Sequence, residues 1–281
     1  MYNIPAPYFN LDYTLDCGQV FRWNLEDEWW HGVVKGEIVH AFHDRENETL
    51  ILDSKLPKDY LHTYFRLDDD LPFIFSDIDK DPYIHEAISK YSGMRLILQE
   101  PWECLISYML ATASNIPRIK KSIERMSRLL GDDLGDGFYS FPKPKSLASC
   151  YNEELCECKM GFRARRIVQA AQMVVDKEFD LTAPYEMDYA DAKQYLMTIE
   201  GIGDKVADCV LLFAYDKMEA FPVDTHVEKI VRQYYSDSFK GPYAKAKMSK
   251  WGHSYFGKYC GYAQQYLFYQ LRLEGALGTG I

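Results

Sequence analysis

The stretch IEGIGDKVADCVLLFAYDKMEAFPVDTHVEKI, residues 199–230, decides the fold of this chain. Two helical patterns flank the turn Gly201-Ile202-Gly203, and the second pattern begins near Asp204. Glycines permit positive φ angles, and the free amides of a turn beside a helix N-terminus form an anion site. The pattern predicts a helix-hairpin-helix motif at about 191–216 that suits a phosphate group, with an ordinary corner between two helices as the alternative.

Lys205 stands in an unusual place, because it follows the turn that opens a helix. The N-terminal end of a helix carries partial positive charge, so the pKa of a lysine there is expected to fall from its ordinary value of ~10.4. A partly neutral lysine is a nucleophile suited to Schiff-base chemistry, which makes Lys205 a candidate catalytic residue. A solvated lysine with an ordinary pKa is the alternative interpretation.

Asp224 lies in the segment FPVDTH, where Pro222 marks a turn. An aspartate at this point is suited to cap the helix that follows, and capping alone is a sufficient structural explanation. A carboxylate near a neutral amine can also stabilise positive charge that develops on a sugar. Lys205 and Asp224 are therefore a candidate catalytic pair.

The composition is that of a folded globular protein. The chain has 281 residues, of which 47% are hydrophobic and 15% aromatic, enough for one large domain or two smaller ones. No apolar run approaches the ~20 residues of a membrane span, and the start MYNIPAPYF lacks the features of a signal peptide. We expect a soluble monomer without membrane association. Since there is no nuclear localisation run, a prokaryotic cytoplasm is favoured over a eukaryotic nucleus.

The cysteines indicate a reducing compartment, because the count of seven is odd and the spacing irregular. Cys150, Cys156 and Cys158 form the one cluster, and a fourth ligand at metal-like spacing is missing. We therefore predict reduced thiols, with no metal site.

Charge is distributed unevenly along the chain. The formal net charge of −10 by itself argues against nucleic acid as a partner, because neutralisation of phosphates drives such binding. Residues 66–81 hold six aspartates, whereas residues 115–130 hold five basic residues and one acid, and residues 238–260 hold five lysines and no acid. The two basic stretches are candidate phosphate contacts, and solvated helix faces are the alternative.

The order of predicted elements indicates an α+β fold. Short β-branched and aromatic runs separated by turn signals predict an antiparallel meander over the first ~55 residues. The sequence predicts a sheet domain at 1–80 and an all-α helical body at 81–281 that carries the helix-hairpin-helix. Residues 132–148 are rich in Gly and Pro, which predicts a loop or short link. Predicted helices lie at 102–111, 118–130, 164–176, 189–199, 205–216, 224–235 and 251–272.

The pattern GIGDKVADC followed by PVDTH resembles the helix-hairpin-helix DNA glycosylases with a Gly/Pro–Asp loop, and within them the 8-oxoguanine DNA glycosylase/AP lyases. The resemblance covers almost the whole chain. Further matching blocks are CGQVFRW at 17–23, GMRLILQEPWECLISYMLATASNIPRI at 93–119, MGFRARRI at 160–167 and GYAQQYLF at 261–268. The resemblance implies a repair enzyme that excises 8-oxoguanine from double-stranded DNA and nicks the strand by β-elimination, without a cofactor.

The resemblance also implies roles for matching residues. Lys205 corresponds to the nucleophile that attacks the deoxyribose, and Asp224 to the catalytic carboxylate. The carbonyl of Gly18 would accept a hydrogen bond from N7–H of the flipped base. Guanine has no hydrogen on N7 and could not donate this bond. Gln264 would read the Watson–Crick edge of this base. Cys209 and Phe268 would lie on its two faces.

Other matching residues would contact DNA outside the base pocket. Gly201 and Gly203 of the hairpin and His226 would bind phosphates. Arg118 and Arg163 would read the cytosine left unpaired, and Phe162 would fill the gap.

The chain departs from the family pattern at Ala113, where an asparagine is frequent, and at Glu200, where a proline is frequent. Loss of the asparagine removes a polar contact to the cytosine and puts a strict preference for that partner in question. One alternative is a monofunctional glycosylase for alkylated bases that relies on Asp224 and water. Another is a non-catalytic DNA-binding protein that uses only the hairpin amides. An endonuclease III-like enzyme is disfavoured, because its C-terminal four-cysteine cluster is absent.

Overall fold

The N-terminal part of the chain folds as the predicted antiparallel sheet. This computed structural model describes residues 1–150, 155, 157–239 and 244–275. The sheet has the spatial order β1-β5-β4-β3-β2, so β2 to β5 form a meander and β1 joins its far edge. The strands are β1 (Tyr2–Pro5), β2 (Trp23–Glu26), β3 (Trp29–Val34), β4 (Glu37–Asp44) and β5 (Thr49–Ser54).

Two tight turns fix the register of the meander. Asp27-Glu28 joins β2 to β3 and Lys35-Gly36 joins β3 to β4, and all four residues have positive φ angles. Two-residue turns of this kind have a twist that matches the twist of the paired strands. One face of the sheet is packed, with Trp23, Ala41 and Leu52 at most 1% exposed.

The helical body follows, as the sequence predicts. A second, small hairpin pairs residues 133–135 with residues 138–139, within the segment predicted as a loop or link. The helices are α1 (Leu11–Asp16), α2 (Lys58–Tyr64), α3 (Leu71–Ile78), α4 (Pro82–Lys90), α5 (Pro101–Leu110), α6 (Ile116–Leu130), α7 (Pro144–Ala148), α8 (Arg163–Val175), α9 (Ala183–Glu186), α10 (Tyr189–Leu196), α11 (Asp204–Ala214), α12 (Thr225–Tyr234), α13 (Lys245–Phe256) and α14 (Cys260–Leu273).

The prediction of one helix over 251–272 is wrong. Helix α13 ends before Gly257, which has a φ angle of +78°, and a 3₁₀ turn at Gly257–Tyr259 leads into α14. A left-handed residue cannot continue an α-helix, and glycine adopts this conformation without steric cost. The break separates α13 from α14, which begins at Cys260.

The acidic stretch at 66–81 is built into the fold as well as exposed. Asp70 caps α3 and Asp81 caps α4 through bonds to backbone amides. Asp69 accepts a hydrogen bond from the hydroxyl of Tyr262 at 2.5 Å. Arg66, at 6% exposure, pairs with Asp216 at 2.6 Å. Asp69 and Arg66 therefore connect this stretch to later parts of the chain, which the sequence analysis did not predict.

Two sequence predictions concern residues outside the described ranges, namely Cys156 of the cysteine cluster and Lys240 of the second basic stretch. Cys150 and Cys158 are both buried. Within the described ranges, no group of three or more acidic, histidine or cysteine side chains is arranged to hold a metal ion. None of the described helices is long and apolar enough to cross a membrane.

Candidate active site

A cleft of about 790 Å³ brings together seven of the residues singled out in the sequence. Helices α11, α12 and α14 line it, together with the turn that follows α1 and the segment from the end of α5 to the first turn of α6. The seven residues are Gly18, Lys205, Cys209, Asp224, His226, Gln264 and Phe268. They come from four separate parts of the chain, so the fold makes this one site.

The glycine hairpin places Lys205 in the cleft. Gly201 has a φ angle of +95°, and a Cβ atom there would lie 2.6 Å from Cδ of Arg166. Gly203 precedes α11 in extended conformation, and Lys205 is the second residue of that helix. Lys205 is half-buried, and its Nζ lies 5.1 Å from the centroid of the Tyr108 ring. The lysine is therefore directed along an aromatic wall of the cleft rather than into bulk solvent.

Cys209 lies one helical turn after Lys205, on the same face of α11. It is 4% exposed, and burial raises the pKa of its thiol to about 12 although the nearby ammonium of Lys205, which hydrogen-bonds its sulfur, acts in the opposite direction. The thiol is thus protonated at neutral pH. Cys209 contributes a small, weakly polar wall next to the amine.

Asp224 combines a structural position with a place in the cleft. Its Oδ1 accepts hydrogen bonds from the backbone amides of His226 and Val227, both at 2.8 Å, and so caps α12. Among the described residues, no donor binds its Oδ2. One oxygen of the carboxylate therefore holds the helix, and the other is available to a ligand.

Helix α14 presents a row of side chains to the cleft. Gln264, Phe268 and Arg272 are spaced by four residues and share one helix face. Gln264 is 5% exposed, and Phe268 is half-buried with its ring edge-on to His226 at 6.1 Å. The Nδ1 atom of His226 is buried and has no hydrogen-bond partner within the described part of the chain.

The residues predicted to contact the opposite strand lie outside the cleft, at the start of α6 and α8. Arg163 donates to the carbonyl of Thr112 at 2.7 Å and to that of Ala113 at 2.8 Å. Its guanidinium lies 4.6 Å from the ring centroid of Phe162, which is 59% exposed. Arg118 is exposed in the first turn of α6. The structure thus brings Ala113, Phe162 and Arg163 together, whereas Arg118, Gly201 and Gly203 are not part of the cleft lining.

Three charged cleft residues were missed by the sequence analysis as site residues, namely Asp16, Lys120 and Arg272. Lys120 donates to the carbonyl of Trp23 at 2.9 Å, and burial lowers its pKa. Arg272 could have been found from its spacing, because it follows Phe268 by four residues. Asp16 and Lys120 offered no such pattern.

Glu200 has a role that its place in the sequence did not reveal. Its carboxylate lies 3.6 Å from Nε of Arg166 and 3.9 Å from Nη2 of Arg165. These pairs connect the hairpin to α8, which begins beside the Ala113 turn. The residue that replaces the frequent proline is therefore part of a contact between two elements rather than a change on an isolated surface.

Comparison with known proteins finds family matches along most of the chain. Residues 1–105 match the family described as 8-oxoguanine DNA glycosylase, N-terminal domain, and residues 106–251 match the HhH-GPD superfamily base excision DNA repair proteins. The N-glycosylase/DNA lyase OGG1 of Arabidopsis thaliana is 30% identical over 277 residues, which cover 92% of this chain and 76% of the relative.

Two solved structures match almost the whole of this chain. The structure of MBOgg1 with a low-affinity DNA ligand matches with a TM-score of 0.88 and 35% identity, covering 95% of this chain and 93% of that one. The 8-oxoguanine glycosylase/lyase of Clostridium acetobutylicum, in complex with double-stranded DNA that contains cytosine opposite 8-oxoguanine, matches with a TM-score of 0.87 and 29% identity, covering 95% and 93%.

Proposed function

The chain belongs to the 8-oxoguanine DNA glycosylase family of the HhH-GPD superfamily, and we propose that it excises 8-oxoguanine from duplex DNA and then nicks the abasic strand. The observation that carries the proposal is the presence of Lys205 and Asp224 in one cleft, at the start of two different helices. A nucleophilic amine and a carboxylate in one pocket are the two groups that imine chemistry at a sugar carbon requires.

The reaction follows from these two groups. The neutral amine of Lys205 attacks C1′ of the deoxyribose, and the bond from C1′ to the base breaks with its electron pair on the base, which takes up a proton. Opening of the sugar ring gives an imine between Lys205 and C1′. Removal of a proton from C2′ then expels the 3′ phosphate oxygen, which nicks the strand. Asp224 stabilises the positive charge on the sugar, and water finally releases the lysine.

The base-recognition roles belong to the same proposal. In the cleft, the carbonyl of Gly18 accepts from N7–H of 8-oxoguanine, whereas guanine presents an unprotonated N7 acceptor to the same carbonyl. Gln264 reads the Watson–Crick edge, and Cys209 and Phe268 enclose the ring. Outside the cleft, Phe162 fills the gap left by the flipped base.

The alternatives use fewer of these residues. A monofunctional glycosylase needs Asp224 and water but gives no reason for Lys205 to lie in the same cleft. A protein that only binds DNA through its hairpin needs neither group. The proposal therefore accounts for the site more fully than either alternative.

Borohydride trapping tests the proposal, because it reduces the imine to a stable covalent bond between protein and DNA. We expect the wild-type protein to form this adduct with an 8-oxoguanine duplex and to nick it. Lys205→Gln should abolish both while lesion binding remains. Lys55→Gln, at an exposed position after β5, serves as the control and should behave as wild type. Nicking by Lys205→Gln at the wild-type rate would exclude Lys205 as the nucleophile.

A further inference from the structure

Side chains of helix α14 hydrogen-bond to the two residues immediately before Gly18. Nη1 of Arg272 donates to the carbonyl of Asp16 at 2.5 Å, and its Nη2 donates to Oδ2 of Asp16 at 2.6 Å. Nε2 of Gln265 donates to the carbonyl of Cys17 at 2.9 Å. Asp16 is the last residue of α1, where carbonyls lack partners within the helix and a cation is favourable. We call Arg272 and Gln265 the α14 clamp.

Gln19, the residue after Gly18, is also fixed by hydrogen bonds. The carbonyl of Gln19 accepts from Nε2 of Gln99 at 2.9 Å and from the hydroxyl of Tyr108 at 3.1 Å. The side chain of Gln19 accepts from the amide of Ile97 at 2.7 Å, and Gln19 is fully buried. The chain is therefore fixed on both sides of the glycine.

The carbonyl of Gly18 is the exception in this turn. The carbonyls of Asp16, Cys17 and Gln19 each accept a side-chain hydrogen bond, whereas none of the described residues donates to the carbonyl of Gly18. An unpaired carbonyl is costly in a dry interior, but Gly18 lines the open cleft. The turn thus holds its neighbours and leaves one acceptor for a ligand.

The guanidinium of Arg272 lies close to the position that a side chain at Gly18 would take. Gly18 has a φ angle of +87°, and a Cβ atom there would lie 2.9 Å from Cδ1 of Ile116 and 3.3 Å from Nη1 of Arg272. Only glycine fits this combination of backbone conformation and close approach. Arg272 thus binds Asp16, two residues before Gly18, and also lies near Gly18 itself.

We propose that the α14 clamp sets the direction of the Gly18 carbonyl, so that Arg272 and Gln265 are positioning residues for discrimination between 8-oxoguanine and guanine. This inference rests on the proposed function. Gln264 and Phe268, which enclose the base, lie on the same helix as the clamp. The Watson–Crick edge and the N7 edge of the base are then read by groups held at a fixed distance by a single helix.

The clamp predicts a separation between two activities. Base discrimination needs the Gly18 carbonyl, whereas nicking of DNA that already contains an abasic site needs Lys205 but no base. Arg272→Ala should therefore reduce the binding preference for an 8-oxoguanine duplex over a guanine duplex, measured in the Lys205→Gln background, by about tenfold, which corresponds to one misdirected hydrogen bond. Nicking of a preformed abasic duplex by the Arg272→Ala protein should fall by a smaller factor than the binding preference does.

Three further variants extend the test. Arg272→Lys retains the charge but not the two-point contact, and should give an intermediate preference. Arg45→Ala removes an exposed arginine just after β4 that pairs with Asp12 at the opposite end of α1 from Asp16, and should leave both activities unchanged. Gln265→Leu removes the donor to Cys17 and should lower the preference in the same direction as Arg272→Ala.

Defined outcomes would overturn the inference. An unchanged preference in Arg272→Ala would show that the clamp does not direct the carbonyl. An equal loss of abasic nicking would show that Arg272 only supports the cleft as a whole. Failure of the wild-type protein to form a borohydride adduct with abasic DNA would instead refute the proposed function, and the binding preference would still test the clamp.

Discussion

Asp224 shows how one side chain serves folding and chemistry together. Its Oδ1 caps α12, so its replacement changes stability and reactivity by different amounts. Asparagine is as good a helix cap as aspartate, whereas alanine at such a position costs about 0.5–2 kcal/mol. We expect Asp224→Asn to retain the free energy of unfolding but to lose about 10²–10³-fold in the rate of base excision, the range seen when one charge-stabilising group is removed.

Asp224→Ala should lose as much excision activity as Asp224→Asn. It should also have a lower free energy of unfolding, because alanine does not cap the helix. Denaturant unfolding and single-turnover excision measure the two effects separately. An Asp224→Asn protein that excises the base at the wild-type rate would restrict the role of this residue to capping.

Ala113 occupies a backbone conformation that alanine disfavours. Its φ angle is +50°, and its carbonyl accepts from Arg163. Asparagine tolerates left-handed conformations and would also restore an amide beside the opposite strand. We expect the wild-type protein to excise most rapidly opposite cytosine, with A, G and T within about ten- to a hundredfold, because one missing neutral hydrogen bond is worth about 0.5–1.5 kcal/mol.

Ala113→Asn should sharpen this preference, and Arg163→Ala should remove most of it. Ala113→Gly is the matched control, because it relieves the backbone without supplying an amide. Single-turnover excision from four duplexes that differ only at the opposite base is the measurement. Equal preference in the asparagine and glycine variants would show that the amide does not read the opposite base.

At the residue level, local patterns predicted seven of the residues that line the cleft. Lys205 and Cys209 share a helix, as do Gln264 and Phe268, so the spacing within each motif already placed each pair on one face. Asp16 and Lys120 have partners far away in the chain, and no local pattern specifies such partners. The ion pairs of Glu200 were not predicted for the same reason, since its arginine partners belong to α8. Arg272 was overlooked although it continues the four-residue spacing of Gln264 and Phe268.

The hairpin between α10 and α11 depends on two glycines in different ways. Gly201 has a positive φ angle and lies against Arg166, whereas Gly203 is extended with open space where a Cβ would lie. Gly201→Ala should lower the free energy of unfolding by about 1–3 kcal/mol, since it combines backbone strain with a displaced arginine. Gly203→Ala is the matched control and should stay within about 1 kcal/mol of wild type.

Thermal and denaturant unfolding of the two hairpin variants measure this difference. Their affinities for duplex DNA test whether the hairpin amides bind phosphates, because a methyl group at Gly203 would obstruct an approaching phosphate without destabilising the fold. Equal stability of both variants would show that the hairpin tolerates a side chain at Gly201.

At the element level, periodicity located the long helices, but breaks and short helices escaped it. The break at Gly257 lies inside a continuous apolar pattern, and a single glycine does not by itself reveal that its φ angle will be positive. Helices α1, α2 and α3 have six to eight residues, too few for a periodic pattern to stand out. The sheet was predictable because its turns carry strong local signals.

On the scale of the whole molecule, charge is separated between surfaces. Arg118, Lys121, Arg125 and Arg128 are exposed along one side of α6, at spacings of three and four residues. The aspartates at 66–81 partly serve as helix caps and internal partners. A protein of net charge −10 can therefore present a basic face to DNA.

Binding to DNA should weaken steeply with salt. Each phosphate that is neutralised contributes about −0.9 to the slope of log affinity against log salt concentration. Lys121→Gln and Arg125→Gln should each reduce the magnitude of this slope by about one, whereas Lys55→Gln on the sheet should not change it. Salt titrations of duplex binding provide the measurement, and a flat dependence for the wild-type protein would show that α6 does not face DNA.

The buried thiols have a consequence for survival of the protein under oxidising conditions. All six cysteines within the described ranges are buried, and burial raises the pKa of Cys17 and of Cys209 to about 12. Peroxide attacks the thiolate, so thiols that stay protonated and shielded react slowly. The lesion that this enzyme is proposed to remove is made by the same oxidants. The repair protein would therefore keep working through the chemical stress that creates its substrate.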